Sequence, residues 1–307
     1  MRVLRSRCTF FLVAIVCVAG CRPKASNDAA SSGGNDRLFA VSFMTLNNPF
    51  FVDLGEGIRT VVEAHGDRLV VLDSQFNALK QKNDISDVLQ QAPGAVFINP
   101  VNWEGVRATL VEAQRQKVPI VVVDTQVADE AMVLTQVASD NIAAGRLACE
   151  ALGKAKPAAK LVILHHSVAK SCIDRVAGFK DTMAKSFPQM QLLDTQEGKG
   201  SREGALPVMR DLLGRFPEVD AVFAINDPSA LGAISAIESA GKANQISVVT
   251  VDGSADGIAA VQAGRLLSTS AQFPKEIGRI AAEKAYEHLA GKPVEREVKV
   301  EVKLITR

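Results

Sequence analysis

The sequence predicts an α/β protein of two similar lobes, each built around a doubly wound parallel sheet. Short apolar runs alternate with amphipathic stretches from Leu38 onward. The runs are almost entirely apolar, which is typical of strands that are buried on both faces of a parallel sheet. The strand–helix order occurs in two consecutive series, and each series indicates right-handed crossovers with helices on both faces of its sheet.

Each series contributes five predicted strands. Those of the first series are 38–44, 68–73, 95–99, 119–124 and 132–138, and those of the second are 160–165, 191–195, 221–225, 246–251 and 266–271. The helices between them have apolar residues three or four positions apart, as in Phe51, Leu54 and Ile58. A last helix is predicted over 275–289, and an alternating segment follows at 294–305.

The predicted lobes are discontinuous in the chain. We expect an N-terminal lobe of residues 38–139 plus 273–301 and a C-terminal lobe of residues 140–272 plus 302–307. The backbone would then cross between the lobes three times, so that three connecting strands form a hinge.

The first 37 residues are predicted to lie outside this fold. Three arginines precede the apolar stretch 10–18, which is too short to span a bilayer, so residues 1–20 predict a signal peptide. The tetrapeptide 18–21, Val-Ala-Gly-Cys, resembles a bacterial lipobox and implies a thioether-linked lipid on Cys21, although an ordinary cleaved signal is the alternative. Residues 21–37 are rich in Ala, Ser, Asn and Gly and predict a flexible tether. A periplasmic or extracytoplasmic protein with a lipid anchor in the membrane is expected.

Charge and cysteine content narrow the function classes. Removal of residues 1–20 leaves 32 basic and 34 acidic side chains, a net charge of −2. Such a near-neutral surface argues against nucleic acid as a partner, because nucleic acid requires a basic footprint.

Cys149 and Cys172 remain besides Cys21. An exported compartment permits a disulfide, but a predicted helix and strand separate these two residues, and free thiols are favoured.

The segment 45–51, Thr-Leu-Asn-Asn-Pro-Phe-Phe, gives the strongest indication of a ligand site. It follows the first predicted strand, where Asn48 suits a helix cap and Pro49 suits the first helical turn. Ligands of open α/β sheets bind beyond the carboxyl ends of strands. The Asn48 amide can bridge a hydroxyl group, and Phe50 and Phe51 can stack on the apolar face of a sugar.

Further polar residues recur at strand ends in both series. They are Asp124, Asn226, Asp252 and Gln272, together with Arg175 in a loop-to-helix segment. Any one of the Asp and Asn residues could simply cap the next helix. The repetition of such residues at strand ends favours a shared polar site.

These segments resemble those of the periplasmic sugar-binding proteins of ABC importers, most closely the ribose-binding type. The resemblance runs from Leu38 to the end of the chain and includes 45–51, 70–75, 98–100, 138–141, 175–179, 221–227, 252–257 and 271–274. It implies the type I periplasmic binding protein fold, with a cleft that closes on a small sugar or sugar-like polyol. It also implies a monomer without a cofactor or metal, which an ABC permease and its ATPase recognise in the closed state.

The resemblance implies roles for particular residues. Asn48 corresponds to a residue that binds a hydroxyl group, and Phe50 and Phe51 correspond to the aromatic pair around the sugar. Asp124 corresponds to the acceptor of two hydroxyl hydrogen bonds, and Arg175 to a guanidinium donor. The remaining polar ring corresponds to Asn226, Asp252 and Gln272. Thr125, Trp103 and Arg202 are additional candidates for ligand contact, although Trp103 is better interpreted as a half-buried residue at a helix start.

Three positions depart from the ribose-binding type. Thr125 stands where an arginine usually follows the aspartate, Gly200 where a third aromatic residue is usual, and Val251 where an aromatic residue usually precedes Asp252. The loss of one guanidinium and two rings predicts a roomier and less basic pocket. A ligand that differs from ribose or is larger is therefore expected.

Other functions have less support. A regulator of the LacI type shares the two-lobe core but would need a helix-turn-helix ahead of it, where a signal and a tether are predicted. An enzyme is disfavoured because Gly-x-Gly-x-x-Gly and Gly-x-Ser-x-Gly motifs are absent from the sequence. His165 and His166 are adjacent at a strand end and point to opposite faces, so they favour a solvent- or ligand-facing loop over a metal site. A sensory module that presents the ligand to a membrane receptor would have the same site and is a further alternative.

Overall fold

A computed structural model describes residues 36–307. The predicted signal peptide, the Cys21 lipid site and all but the last two residues of the predicted tether lie outside the described residues. Arg37, assigned to the tether, is instead held in place: its guanidinium pairs with Asp67 at 3.0 Å. In the part of the chain that is described, no helix is long and apolar enough to cross a membrane.

Strands and helices alternate along nearly the whole described chain. The strands are β1 (Leu38–Phe43), β2 (Arg68–Asp73), β3 (Ala95–Ile98), β4 (Ile120–Val123), β5 (Thr135–Ser139), β6 (Lys160–His165), β7 (Gln191–Glu197), β8 (Ala221–Ala224), β9 (Ser247–Asp252), β10 (Ser268–Ala271), β11 (Glu297–Val300) and β12 (Lys303–Thr306). The helices are α1 (Pro49–Ala64), α2 (Ala78–Leu89), α3 (Arg107–Arg115), α4 (Asn141–Ala155), α5 (Lys170–Ser186), α6 (Arg202–Arg215), α7 (Asp227–Ser239), α8 (Ala255–Gln262) and α9 (Pro274–Leu289).

The strands form two sheets, one in each lobe, as the sequence predicts, and each sheet has six strands where each predicted series has five. The first has the order β11-β5-β4-β3-β1-β2 and is parallel throughout. The second has the order β12-β10-β9-β8-β6-β7 and is parallel except at β12, which pairs with β10 in the antiparallel direction. An antiparallel edge strand is common on an otherwise parallel sheet. The central strands are buried along their length, which explains their continuous apolar sequences.

The chain passes between the two sheets at three places. It crosses from β5 to α4, from β10 to α9, and from β11 to β12. Helix α4 packs on α5 and on strands of the second sheet, whereas α9 packs on α1 and on strands of the first.

Two segments differ from their predicted secondary structure. The predicted strand 132–138 begins later, because Glu130–Met132 form a short 3₁₀ turn before β5. Val133 is buried from this turn, and a short apolar run has the same appearance in a turn and in a strand. The alternating segment 294–305 is two short strands in different sheets, because the chain leaves the first lobe between β11 and β12.

Glycines allow α4 and α5 to pack backbone to backbone. A Cβ atom at Gly145 would lie 1.9 Å from the carbonyl oxygen of Arg175, and one at Gly178 would lie 2.1 Å from the carbonyl oxygen of Ile142. This close contact fixes the position of α5 on the second sheet. Helix α5 begins at the cleft between the lobes and carries Arg175 there.

Candidate ligand-binding cleft

A cavity lies between the two lobes, beyond the carboxyl ends of strands in both sheets. All eight residues for which a ligand role was predicted line it. The complete lining consists of Met44, Thr45, Asn48, Phe50, Phe51, Phe76, Asp124, His166, Ala169, Ser171, Cys172, Arg175, Gly200, Asn226, Asp252 and Gln272. Residues far apart in the sequence thus meet in one place because parallel strands end at the same edge of each sheet.

The start of α1 supplies an amide group and two rings. The Phe50 N–H donates to Asn48 Oδ1 at 3.0 Å, so Asn48 caps the helix and lines the cavity at once. Phe50 and Phe51 meet edge to face with ring centroids 5.3 Å apart, and Phe51 also packs against Phe43 with centroids 5.6 Å apart. These contacts hold the rings rigidly at the cavity wall.

Asp124 is a buried carboxylate at the end of β4. Asn99 Nδ2 donates to Asp124 Oδ2 at 3.0 Å, and the Met44 N–H donates to Asn99 Oδ1 at 3.1 Å. The backbone of Asp124 has a φ of 66°, a left-handed conformation that Asp tolerates better than most residues. Burial raises the pKa of Asp124 to about 6, although Arg175 and Asn99 oppose the rise.

Arg175 lies almost fully buried on the second-lobe side. Its Nε donates to Asn141 Oδ1 at 2.8 Å, and its Nη1 donates to the Ile225 carbonyl oxygen at 2.9 Å. The same Nη1 lies 3.7 Å from Asp252 Oδ1. The charge of Arg175 opposes the rise in pKa that burial causes at both Asp124 and Asp252. The positive charge of Arg175 therefore stabilises the ionised forms of two buried carboxyl groups in one cavity.

Asp252 and Gln272 form a hydrogen-bonded pair across neighbouring strands. Gln272 Nε2 donates to Asp252 Oδ1 at 2.8 Å. Asp252 Oδ2 and Gln272 Oε1 are buried and have no hydrogen-bond partner among the described residues. Buried polar atoms are almost always hydrogen-bonded in folded proteins, so these two acceptors indicate a site for a ligand that donates.

Asn226 has both a structural and a cavity-lining position. Its Oδ1 accepts from the Ser229 N–H at 3.0 Å and caps α7, while its Nδ2 donates to the Gly200 carbonyl oxygen at 2.9 Å. Asn226 thus caps α7 and lines the cavity at the same time, and its contact with a ligand stays a prediction. One Nδ2 hydrogen is left for a further acceptor.

The three additional candidates do not line the cavity. Thr125 is fully buried, and its Oγ1 accepts from the Ser171 N–H of the other lobe at 2.9 Å. Trp103 is half-buried before α3, and its backbone N–H donates to the Val168 carbonyl oxygen at 3.1 Å. Arg202 is half-exposed and lies 3.8 Å from Asp256. Thr125 and Trp103 instead form hydrogen bonds between the lobes beside the cavity.

Several lining residues were not predicted from the sequence. Ser171 and Cys172 begin α5, and Cys172 lies one helical turn before Arg175, so helical spacing was a usable signal. Phe76 has a φ of 56° in the loop after β2, and no local pattern marks it. His166 directly follows β6, where the strand-end rule applied, but two adjacent histidines left open which of them faces the cavity.

The expected extra space at Gly200 is filled. A Cβ atom at Gly200 would lie 3.4 Å from His166 Cδ2, and Gly200 itself has a φ of 62°. The His166 imidazole therefore occupies this wall, and the cavity is not enlarged there. Cys149 and Cys172 are buried and unpaired among the described residues, as predicted, and burial raises the pKa of each thiol to about 12.

Comparison with known proteins identifies the family. Residues 39–293 match the periplasmic binding protein domain. The chain belongs to the periplasmic binding protein family. The ribose import binding protein RbsB of Bacillus subtilis (strain 168) is 35% identical over 283 residues, which is 90% of each chain. RbsB of Escherichia coli (strain K12) is 36% identical and covers 87% of this chain and 90% of its own.

Solved structures of other family members share the fold. The arabinose transporter's periplasmic binding protein from Shewanella sp. ANA-3, bound to L-arabinofuranose, superposes with a TM-score of 0.80 at 27% identity, covering 87% of this chain and 91% of its own. An ABC transporter solute-binding protein from Agrobacterium vitis, bound to α-D-tagatopyranose, has a TM-score of 0.83 at 24% identity, covering 88% and 94%. The resemblance and the two-lobe fold predicted from the sequence of this periplasmic binding protein are confirmed.

Proposed function

We propose that this protein captures a small sugar or sugar-like polyol between its lobes and delivers it to the permease of a ribose-type ABC importer. The observation that carries this proposal is the composition of the cavity: two phenyl rings from one lobe face carboxylate, guanidinium and amide groups from both. The ribose-import role of the relatives and the sugar-bound structures support it.

The proposed chemistry follows from what each group can do. The Asp124 and Asp252 carboxylates accept hydrogen bonds from neighbouring hydroxyl groups, and a hydrogen bond to a charged group contributes about 1.5–3 kcal/mol. Arg175 and Asn226 donate to ring or hydroxyl oxygens, and Phe50 and Phe51 stack on the apolar face of the ring. The unpartnered acceptors of Asp252 and Gln272 discriminate against molecules that lack hydroxyl groups, because those acceptors would stay unpaired.

The charges of the cavity favour a neutral ligand over an anionic one. Among its lining residues, Asp124 and Asp252 are acidic and Arg175 alone carries a guanidinium. A sugar acid or sugar phosphate would add negative charge beside two buried carboxylates, and burial makes this repulsion costly. We therefore expect uncharged sugars or polyols to bind and their acidic counterparts to be rejected.

Binding is proposed to stabilise the closed arrangement of the lobes. The lining residues come from both lobes, so a ligand makes all its contacts only when the lobes are together. Thr125 and Ser171 add a direct hydrogen bond between the lobes beside the cavity. Differential contacts worth several kcal/mol are sufficient to make a rarely populated closed state dominant. The permease would then recognise that closed state.

The remaining features of the proposal concern the setting of the protein. We propose an exported binding protein without catalytic activity, held at the membrane by a lipid on Cys21 and acting as a monomer beside the permease and its ATPase. Metabolic labelling with a radioactive fatty acid tests the anchor: the label should be incorporated and should be lost in Cys21→Ala.

A thermal-shift screen tests the ligand class. The purified protein is heated with D-ribose, D-allose, D-tagatose, L-arabinose, xylitol and myo-inositol, and with ribose 5-phosphate and glucuronate as acidic counterparts. A ligand that binds only the folded state raises the melting temperature by mass action. We expect at least one neutral compound to raise it and the two acids to leave it unchanged. Failure of every neutral compound would contradict the proposal.

Two substitutions test the site itself. Asp124→Ala and Asn226→Ser should each lower affinity for the compound found in the screen by about tenfold or more. Serine at 226 retains the α7 cap, so the effect is not a consequence of helix fraying. Asp181→Ala is the matched control, because Asp181 is exposed on α5 and pairs with the exposed Lys185. Unchanged affinity in both site variants would refute the assignment.

A further inference from the structure

His166 lines the cavity although it is not one of the residues predicted to bind the ligand. It directly follows β6 and is 8% exposed. Its ring meets the Phe76 ring of the other lobe edge to face, with centroids 6.1 Å apart and planes at 85°. Gly200 packs against its other side, since a Cβ atom there would lie 3.4 Å from His166 Cδ2 and 3.5 Å from Cγ. The imidazole is thus held between a phenyl ring and a glycine.

One nitrogen of this ring is bound to a carboxylate. His166 Nδ1 lies 3.1 Å from Glu197 Oε1. The Ser167 N–H and Oγ both donate to Glu197 Oε2 at 2.8 Å, and the Lys199 N–H donates to Oε1 at 3.0 Å. Although burial acts in the opposite direction, hydrogen bonds from His166 and Ser167 lower the pKa of Glu197 to about 2.

The state of Glu197 determines the tautomer of His166. An ionised carboxylate only accepts hydrogen bonds, so Nδ1 must carry the hydrogen and donate it. In the neutral imidazole the other nitrogen, Nε2, is then a hydrogen-bond acceptor. His166 Nε2 is buried and has no hydrogen-bond partner among the described residues. Buried polar atoms of this kind are almost always hydrogen-bonded in folded proteins.

We propose that His166 is a ligand-binding and specificity-determining residue, whose Nε2 accepts a hydrogen bond from one hydroxyl group of the bound sugar or polyol. This inference rests on the proposed function and extends its polar ring by an imidazole nitrogen that Glu197 orients. Gly200 is part of the same wall, because its φ of 62° disfavours other residues and a Cβ atom there would already be in contact with the imidazole. The site therefore selects a ligand with a hydroxyl group at the place that Nε2 reaches.

The experiment pairs variants of the protein with variants of the ligand. Affinities are measured by calorimetry for the neutral compound that the wild type binds most tightly and for its singly deoxygenated analogues. His166→Phe keeps a planar ring without either nitrogen, His166→Gln restores a polar group, and His165→Gln is the matched control, because His165 does not line the cavity. The melting temperature of each ligand-free variant is recorded alongside.

We expect His166→Phe to lower affinity for the parent compound by about tenfold, His166→Gln by less, and His165→Gln by less than about twofold. One deoxy analogue should bind the wild type about tenfold more weakly than the parent compound does. The His166→Phe variant should bind this analogue and the parent compound with equal affinity. A merely structural role of His166 would weaken the parent and all analogues equally.

A direct measurement complements the affinities. In protein with ¹⁵N-labelled histidine, addition of the parent compound should shift one Nε2 resonance that is missing from His166→Phe. Equal losses for every analogue in wild type and His166→Phe, or no shifted Nε2 resonance, would overturn the inference and leave the proposed function intact. If no neutral compound of the panel binds the wild type, the proposed function fails, and this inference fails with it.

Discussion

A single methyl group at Gly178 should disrupt the contact that positions α5. The Cβ atom of Gly178→Ala would lie 2.1 Å from the Ile142 carbonyl oxygen and 2.9 Å from its carbonyl carbon. Ordinary contacts of this kind begin at 3.4 Å, so α4 and α5 would have to separate by roughly 1 Å or more. The obstacle is helix backbone, which cannot rotate aside as a side chain can.

The expected size of the effect follows from two opposing contributions. Overpacking a well-packed contact costs about 1–3 kcal/mol, and a backbone obstacle places this case at the upper end. Replacing glycine by alanine in a helix returns about 0.5–1 kcal/mol. The free energy of unfolding should therefore fall by about 2 kcal/mol. Because α5 carries Arg175 and Cys172 into the cavity, ligand affinity should fall as well.

Urea unfolding followed by circular dichroism measures this change, and Gly214→Ala is its control. Gly214 lies in α6, and apart from its chain neighbours and its own helix backbone no described atom comes within 4 Å of the place where an alanine methyl would lie, so alanine there should raise the free energy of unfolding by about 0.5 kcal/mol. The two variants make the same chemical change in a helix, and their changes in the free energy of unfolding should have opposite signs. A Gly178→Ala variant as stable as Gly214→Ala would refute the packing argument.

Three further predictions concern buried carboxyl groups. Ligand affinity should fall as the pH is lowered through about 6, because Asp124 then takes up a proton and loses its acceptor charge, and burial raises the pKa of Asp252 as well. The stability of the ligand-free protein should respond in the opposite sense. Folding raises the pKa of Asp124 from 3.8 to about 6, so its contribution to the free energy of unfolding is fully present below pH 3.8 and is lost as the pH rises through about 6. Calorimetric titrations and melting temperatures at about pH 5 and about pH 7.5 check both, and an affinity that is equal at the two values would contradict the role of Asp124. Tyr286→Phe removes the hydroxyl that donates to Asp67 Oδ2 at 2.7 Å and should lower the free energy of unfolding by about 1–2 kcal/mol, whereas an unchanged urea midpoint would exclude that contribution.

Much of the fold could be predicted because its signals are local. Strands buried on both faces must be apolar along their whole length, and this requirement is visible in single segments such as β3 and β8. The caps of α1 and α7 were visible as Asn48 and Asn226, since a capping side chain bonds to a backbone N–H only two or three residues away. Because ligands of open α/β sheets bind beyond the carboxyl ends of strands, most of the polar residues of the site could be predicted from their positions after strands alone.

Contacts between distant segments could be decided only by the tertiary structure. Nothing near Phe76 or His166 in the sequence shows that their rings meet across the lobes, and nothing near Thr125 shows that it bonds to Ser171. The space left by Gly200 predicted a larger pocket, but a ring from another strand end fills it. The sequence by itself therefore determined which strands exist and which polar groups end them, because those depend on neighbours along the chain. The packing of the two lobes determined which side chains face one another, because that depends on the path of the whole backbone.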